Sequence, residues 1–113
     1  MSEELKQRFK MAAVKLIKDL EFIDFKHPAF EQKRQLFRCA PAVAANYRAA
    51  CRAKSKADFI YKLSLVEEEC DETLFWLEFL DETGVEVANT EDHQKEFNEI
   101  LSIVIASIKS ARK

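Results

Sequence analysis

The chain has 113 residues, 48% hydrophobic and 11% aromatic, with a formal net charge of −2; that is one domain by length, and too apolar for disorder. One glycine and two prolines are too few for the tight turns of a β-sandwich or a βαβ array, which leaves helices joined by few loops. No apolar run approaches the roughly 18 residues of a membrane span, and the N-terminal MSEELKQRFK has no apolar signal region, so the expected setting is the cytoplasm.

The first helix is expected over about Ser2 to Phe22. Leu5, Phe9, Ala12, Leu16, Leu20 and Ile23 fall on one stripe at 100° per residue. A loop with Pro28 follows, and proline disfavours helical geometry at His27. The second helix is expected over about Phe30 to Ala53, with Leu36, Phe37, Ala40, Val43, Tyr47 and Cys51 on its core side. Lys33, Arg34, Arg38, Arg48 and Arg52 cluster on another side. Ala42, Ala45, Ala49 and Ala53 make a smooth third strip where another helix can approach closely. Pro41 has no N–H to donate, which predicts a kink or irregular turn between Phe37 and Pro41.

Ser55, three residues before Asp58, reads as the N-cap of a third helix that runs to about Thr83 and stops at Gly84. Its core side is Phe59, Leu63, Val66, Cys70, Thr73, Leu77 and Leu80, in alternating four- and three-residue steps. Roughly opposite lie Tyr61, Leu65, Phe75, Trp76 and Phe79. A lone four-helix bundle leaves much of that strip in water, and contiguous apolar patches of this kind mark an interface. The fourth helix is expected to start from Thr90 as N-cap, with Phe97, Ile100, Leu101, Val104, Ile105 and Ile108 buried. The architecture is therefore an all-α, antiparallel up-down-up-down four-helix bundle over residues 1–113. The two extra packing strips predict an assembly in which at least one of them lies between subunits.

The net charge hides an asymmetry. From Lys26 to Lys62 basic residues predominate (Lys26, Lys33, Arg34, Arg38, Arg48, Arg52, Lys54, Lys56 and Lys62 against Glu31 and Asp58), whereas from Glu67 to Glu82 the charged residues are all acidic. Glu68 and Glu72 lie amid the second apolar strip, where an unpaired carboxylate is costly. The expected answer is a register-setting ion-pair network of Arg38 and Arg52 with Glu68, Asp71 and Glu72, joined by Asn46. Arg48, Arg52, Lys54, Lys56 and Lys62 form a candidate nucleic-acid contact, set against their neutralisation by neighbouring carboxylates and a pI near 5.7. Cys39, Cys51 and Cys70 have no C-x-x-C pairing and read as reduced core thiols. His27 and His93 lack the Glu-x-x-His spacing of di-iron bundles, and no nucleophile–histidine or phosphate-loop pattern occurs. No metal, cofactor, small-molecule substrate or enzymatic activity is expected.

Arg38, the alanine-rich run, Ala45-Asn46, Arg52-Ala53-Lys54-Ser55-Lys56, Phe59, then Glu67-Glu68 and Asp71-Glu72 with Trp76, follow one another in an order that carries a resemblance. The chain is similar, over nearly its whole length, to the four-helix-bundle proteins encoded within intervening sequences of bacterial 23S rRNA genes, a ribosomal-protein-like family. The resemblance implies a four-helix bundle assembled into a ring, with a homopentamer as the favoured state and association with RNA or a ribonucleoprotein. Two readings follow. The first is a non-enzymatic, homo-oligomeric helical scaffold that contacts RNA; the second is a protein-interaction module that never touches nucleic acid. Salt-dependent RNA affinity separates them.

Overall fold

A computed structural model describes residues 2–113. They form four helices, α1 (Ser2–Asp19), α2 (Phe30–Ala50), α3 (Lys56–Glu82) and α4 (Thr90–Ala111), in a body of 46 × 20 × 20 Å. Neighbouring helices pack in the cyclic order α1, α2, α3, α4, most extensively between α2 and α3 and least between α1 and α4.

Capping chemistry sets the boundaries. Ser55 is extended, with φ −157° and ψ 169°, and its hydroxyl accepts the Asp58 N–H at 3.1 Å. The Asp58 carboxylate reaches back to the Lys54 N–H at 3.1 Å, so the first turn of α3 is satisfied from both sides. At the other end Gly84, with φ +83°, closes a Schellman motif: the Val85 N–H donates to the Leu80 carbonyl at 2.9 Å and the Gly84 N–H to that of Asp81 at 3.1 Å.

Several boundaries differ from the sequence expectation. α1 ends at Asp19, with Leu20 and Ile23 still buried in the turn beyond it. α2 ends at Ala50, leaving Cys51 and Arg52 in a turn and Ala53 beyond it, because the chain must reverse before the extended Ser55. The helix runs unbroken through Pro41 where an irregular turn was expected. Asn89, not Thr90, is the N-cap of α4. It takes the left-handed conformation, φ 60°, which asparagine tolerates, and its amide donates to Asp19 of α1 at 3.1 Å instead of capping its own helix.

The core is a continuous apolar cluster drawn from all four helices. Phe9, Leu16, Leu36, Val43, Leu63, Val66, Leu77, Phe97, Ile100 and Val104 are fully buried within it. Each such side chain contributes about 1.5–3 kcal/mol through removal from water. Phe37 was expected in this core; instead it is 38% exposed, with the Lys33 ammonium 5.2 Å from its ring centre. Cys39 and Ala50 are buried on α2 although not expected there, and Cys51, expected in the core, is half-buried in the turn because the helix ends before it.

Cross-helix contacts fix the register. Phe9 stacks on Tyr47 at 4.7 Å, while Lys33 donates to the Ile23 carbonyl at the other end of the same seam. The Cys70 thiol donates to the Phe97 carbonyl at 3.1 Å, while Lys56 approaches the Lys113 carbonyl at 3.5 Å. Arg8 meets Glu96, and Asp19 meets His93. Along each of these three seams, rising residue numbers on one helix meet falling numbers on the other.

Candidate functional site

The α2–α3 boundary carries an ionic knot. Arg38 lies level with Glu69 and Glu72 across the seam, 3.2 Å from the Glu69 carboxylate and hydrogen-bonded to Glu72. The Trp76 indole N–H donates to the same Glu72 carboxylate at 3.2 Å. The hydrogen bond from Arg38 holds the Glu72 carboxyl below its ordinary value, opposed by partial burial and reinforced by Trp76, and Glu72 in turn raises the Arg38 guanidinium. Side-chain exposure is 52% for Arg38, 20% for Glu69 and 33% for Glu72. The knot is thus partly solvated rather than buried.

Only part of the expected network assembles. Arg38 and Glu72 come together, and Glu69 joins them in place of Glu68 and Asp71. The reason is angular: residues 69 and 72 are one turn apart on the edge facing α2, whereas 68 and 71 are rotated about 100° outward. Glu68 and Asp71 are exposed. Arg52 sits in the turn before α3, some 15–25 Å along the axis from residues 68–72, and is exposed. Asn46 is half-buried on α2. Among the described residues, neither it nor Arg52, Glu68 or Asp71 makes an ion pair or side-chain hydrogen bond with the knot. Glu69 was legible only from the register between α2 and α3, which no spacing within one helix supplies.

The expected interface residues divide by depth. On α3, Tyr61, Phe75 and Phe79 are 61%, 53% and 39% exposed, while Leu65 and Trp76 are half-buried. Phe75, Trp76 and Phe79 form an aromatic cluster with ring centres 4.9–6.1 Å apart. On α2, Ala45 is exposed and Ala42 and Ala49 are half-buried; Ala53 lies off the helix, beyond the turn.

The basic candidates also divide. Lys62 is paired with Asp58 at 2.9 Å, and that contact, with the Lys54 N–H, lowers the Asp58 carboxyl. Arg48, Arg52, Lys54 and Lys56 are exposed, and among the described residues none of them is ion-paired. The approach of Lys56 to the Lys113 carbonyl brings exposed Arg112 and Lys113 to the same pole as Arg52, Lys54 and Lys56. Their convergence with a turn more than fifty residues earlier is a tertiary fact.

Between α1 and α4 a cleft of about 650 Å³ opens, lined by Arg8, Met11, Lys15, Lys18, Asp19 and His93 among others. Its polar groups are mostly engaged with one another. His93, 8% exposed at its side chain, meets Asp19 at 2.7 Å. Hydrogen bonds from Asn89 and then His93 hold the Asp19 carboxyl below its ordinary value. Arg8 grips Glu96 through two hydrogen bonds of 2.9 and 2.8 Å and also reaches Glu99 at 3.1 Å. The buried thiols are chemically quiet: burial pushes Cys39 up to about 11 and Cys70 up to about 12. Among the described residues, no group of three or more His, Cys, Asp or Glu side chains is placed to hold a metal ion, and no helix is long and apolar enough to cross a membrane.

No curated protein matches this chain. It is similar to a crystallised protein of unknown function from the S23 ribosomal protein family of Bacteroides thetaiotaomicron, with 31% identity and a TM-score of 0.86, across 96% of this chain and 99% of the other. The profile of the 23S rRNA-intervening sequence protein family matches residues 4–108, and with that relative it establishes that the chain belongs to the 23S rRNA-intervening sequence protein family.

Proposed function

We propose that this protein is a non-enzymatic scaffold that works as a homo-oligomer, its helices arranged as an antiparallel up-down-up-down bundle and its copies closed into a ring. Five copies is the number that the family resemblance implies. The observation that carries the reading is the outer face of α3, where Tyr61, Phe75 and Phe79 stay in water on a single copy. Soluble chains rarely leave an aromatic cluster such as Phe75, Trp76 and Phe79 partly uncovered, with a further exposed ring at Tyr61 on the same face, and covering it requires a partner surface. The opposed cross-helix contacts support the antiparallel arrangement. The non-enzymatic part rests on the chemistry of the polar groups: the Cys39 and Cys70 thiols are buried and raised, and His93 and Arg8 are bound to carboxylates. Light scattering on the purified chain tests the assembly. A species several times 13.1 kDa at micromolar concentration is expected, and a stable monomer overturns the reading.

RNA contact is the second element of the proposal, favoured by the convergence of Lys54 and Lys56 with Arg112 and Lys113 at one pole. Local potential, not net charge, governs such contact, and ring assembly multiplies the patch. The ribosomal terms in the names of the family and of the Bacteroides protein suit that partner. Retention of structured RNA should fall steeply with salt, and Lys54→Glu/Lys56→Glu should abolish it without changing the oligomer. No retention at about 50 mM salt, where phosphate contacts are least screened, would leave the protein-interaction module as the surviving role.

A further inference from the structure

The two faces left open on a single copy are opposites in charge and in relief. Between α1 and α2 runs a groove of about 560 Å³, floored by Pro41, Ala44 and Ala45 and walled by Lys6, Lys10 and Arg48. Glu3, on its rim, is paired with Lys6 at 3.5 Å. Residues 34, 41, 45 and 48 fall within about 60° on α2; Arg34, paired with Glu31 at 3.2 Å, extends the basic edge at one end of the smooth floor, and exposed Arg52 follows the other end in the turn after the helix. The outer face of α3 carries Tyr61, Glu68, Asp71, Phe75, Glu78 and Phe79 within about 100°. All six are exposed, and the three carboxylates have no ion-pair partner among the described residues. At 1.5 Å per residue Tyr61 to Phe79 spans about 27 Å and Arg34 to Arg48 about 21 Å, with Arg52 in the turn beyond.

Neither face suits its own copy. Two α2 faces would oppose arginine to arginine, and two α3 faces carboxylate to carboxylate, and like-charge repulsion disfavours both. A contact between unlike faces of identical chains is head-to-tail, and head-to-tail contacts propagate into rings when the rotation closes. We infer that the aromatic, acidic face of α3 in one copy docks into the basic α1–α2 groove of the next, with Phe75 or Phe79 over the Pro41/Ala45 floor. Glu68, Asp71 and Glu78 then face Lys10, Arg48 and the flanking arginines. This rests on the self-association proposed above and specifies which surfaces make it.

Two charge-reversed chains test the pairing: Arg34→Glu/Arg48→Glu/Arg52→Glu and Glu68→Lys/Asp71→Lys/Glu78→Lys. Each alone should lose self-association by roughly 100-fold or more. Mixed in equal amounts they should bind each other, because each reversed groove again meets an opposite face; alternation cannot close an odd-numbered ring, so the readout of reassociation is a complex containing both chains and not recovery of the wild-type ring size. Circular dichroism checks that both remain helical. Ala45→Trp, which fills the groove floor without altering charge, should also dissociate the wild-type assembly, and it decides the matter if a reversed chain fails to fold. A monomeric wild type removes the self-association reading and this inference with it. An oligomeric wild type overturns the face pairing alone if folded reversed chains stay associated or fail to reassociate on mixing, or if Ala45→Trp leaves the oligomer intact.

Discussion

Replacing Arg38 by Met keeps most of the side chain's apolar stem while removing the charge that holds Glu69 and Glu72. A fully buried network would lose about 3–5 kcal/mol on such a change, because two carboxylates would be stranded out of water. Here the guanidinium is 52% exposed and the carboxylates 20% and 33%, so solvent screens the pair and rehydrates what is left. The expected loss is about 1 kcal/mol, at the upper end for a solvent-accessible pair because one arginine serves two acceptors. The chain holds a single tryptophan, and Trp76 donates to Glu72, so intrinsic fluorescence reports both unfolding and the local site. A double-mutant cycle of Arg38→Met with Glu72→Gln, followed by urea titration, should give a coupling of about 0.5–1 kcal/mol. It should shrink at about 1 M salt, where the screening length is near 3 Å. A loss above about 3 kcal/mol would refute the solvated picture, and a coupling near zero would show that the contact does not bind α2 to α3.

Phe97→Ala should cost about 3–5 kcal/mol in denaturant titration, since Phe97 is fully buried in the central cluster and its removal opens a cavity; a loss below about 1 kcal/mol would mean that the core collapses around the gap. Gly84→Ala should cost about 1 kcal/mol from the left-handed backbone alone, because nothing lies within 4 Å of the added Cβ, and Gly84→Asn should lose less. Asp19, Glu72 and Glu96 are each held below the ordinary carboxylate value, by Asn89 and His93, by Arg38, and by Arg8. A lowered folded value means that the stabilisation is present above the unfolded carboxylate range, near about 4, and is lost as pH falls through it. Urea midpoints should therefore decline from pH 6 to pH 3, and a flat or rising trend would contradict the assigned contacts.

Local chemistry was sufficient for much of the fold. The scarcity of glycine and proline excluded strands, the heptad-like steps of Phe59 to Leu80 identified the buried edge of α3, and the Ser55 cap and Gly84 stop marked its ends because capping is decided within a few residues. What one helix could not report was the register of its neighbour. Glu69 rather than Glu68 meets Arg38 because α2 and α3 are packed at one particular offset and rotation. Arg52 is left out because the chain turns back before it. Asn89 takes the capping place expected of Thr90 and gives its amide to Asp19, seventy residues away. Phe37 stays 38% exposed while Cys39, which accepts from Thr73 of α3, is fully buried. The same packing brings Arg112 and Lys113 beside Lys56, and makes a groove from Lys6, Pro41, Ala45 and Arg48, which are scattered over two helices. Periodicity records which way each side chain points from its own axis; only the assembled bundle decides what stands opposite.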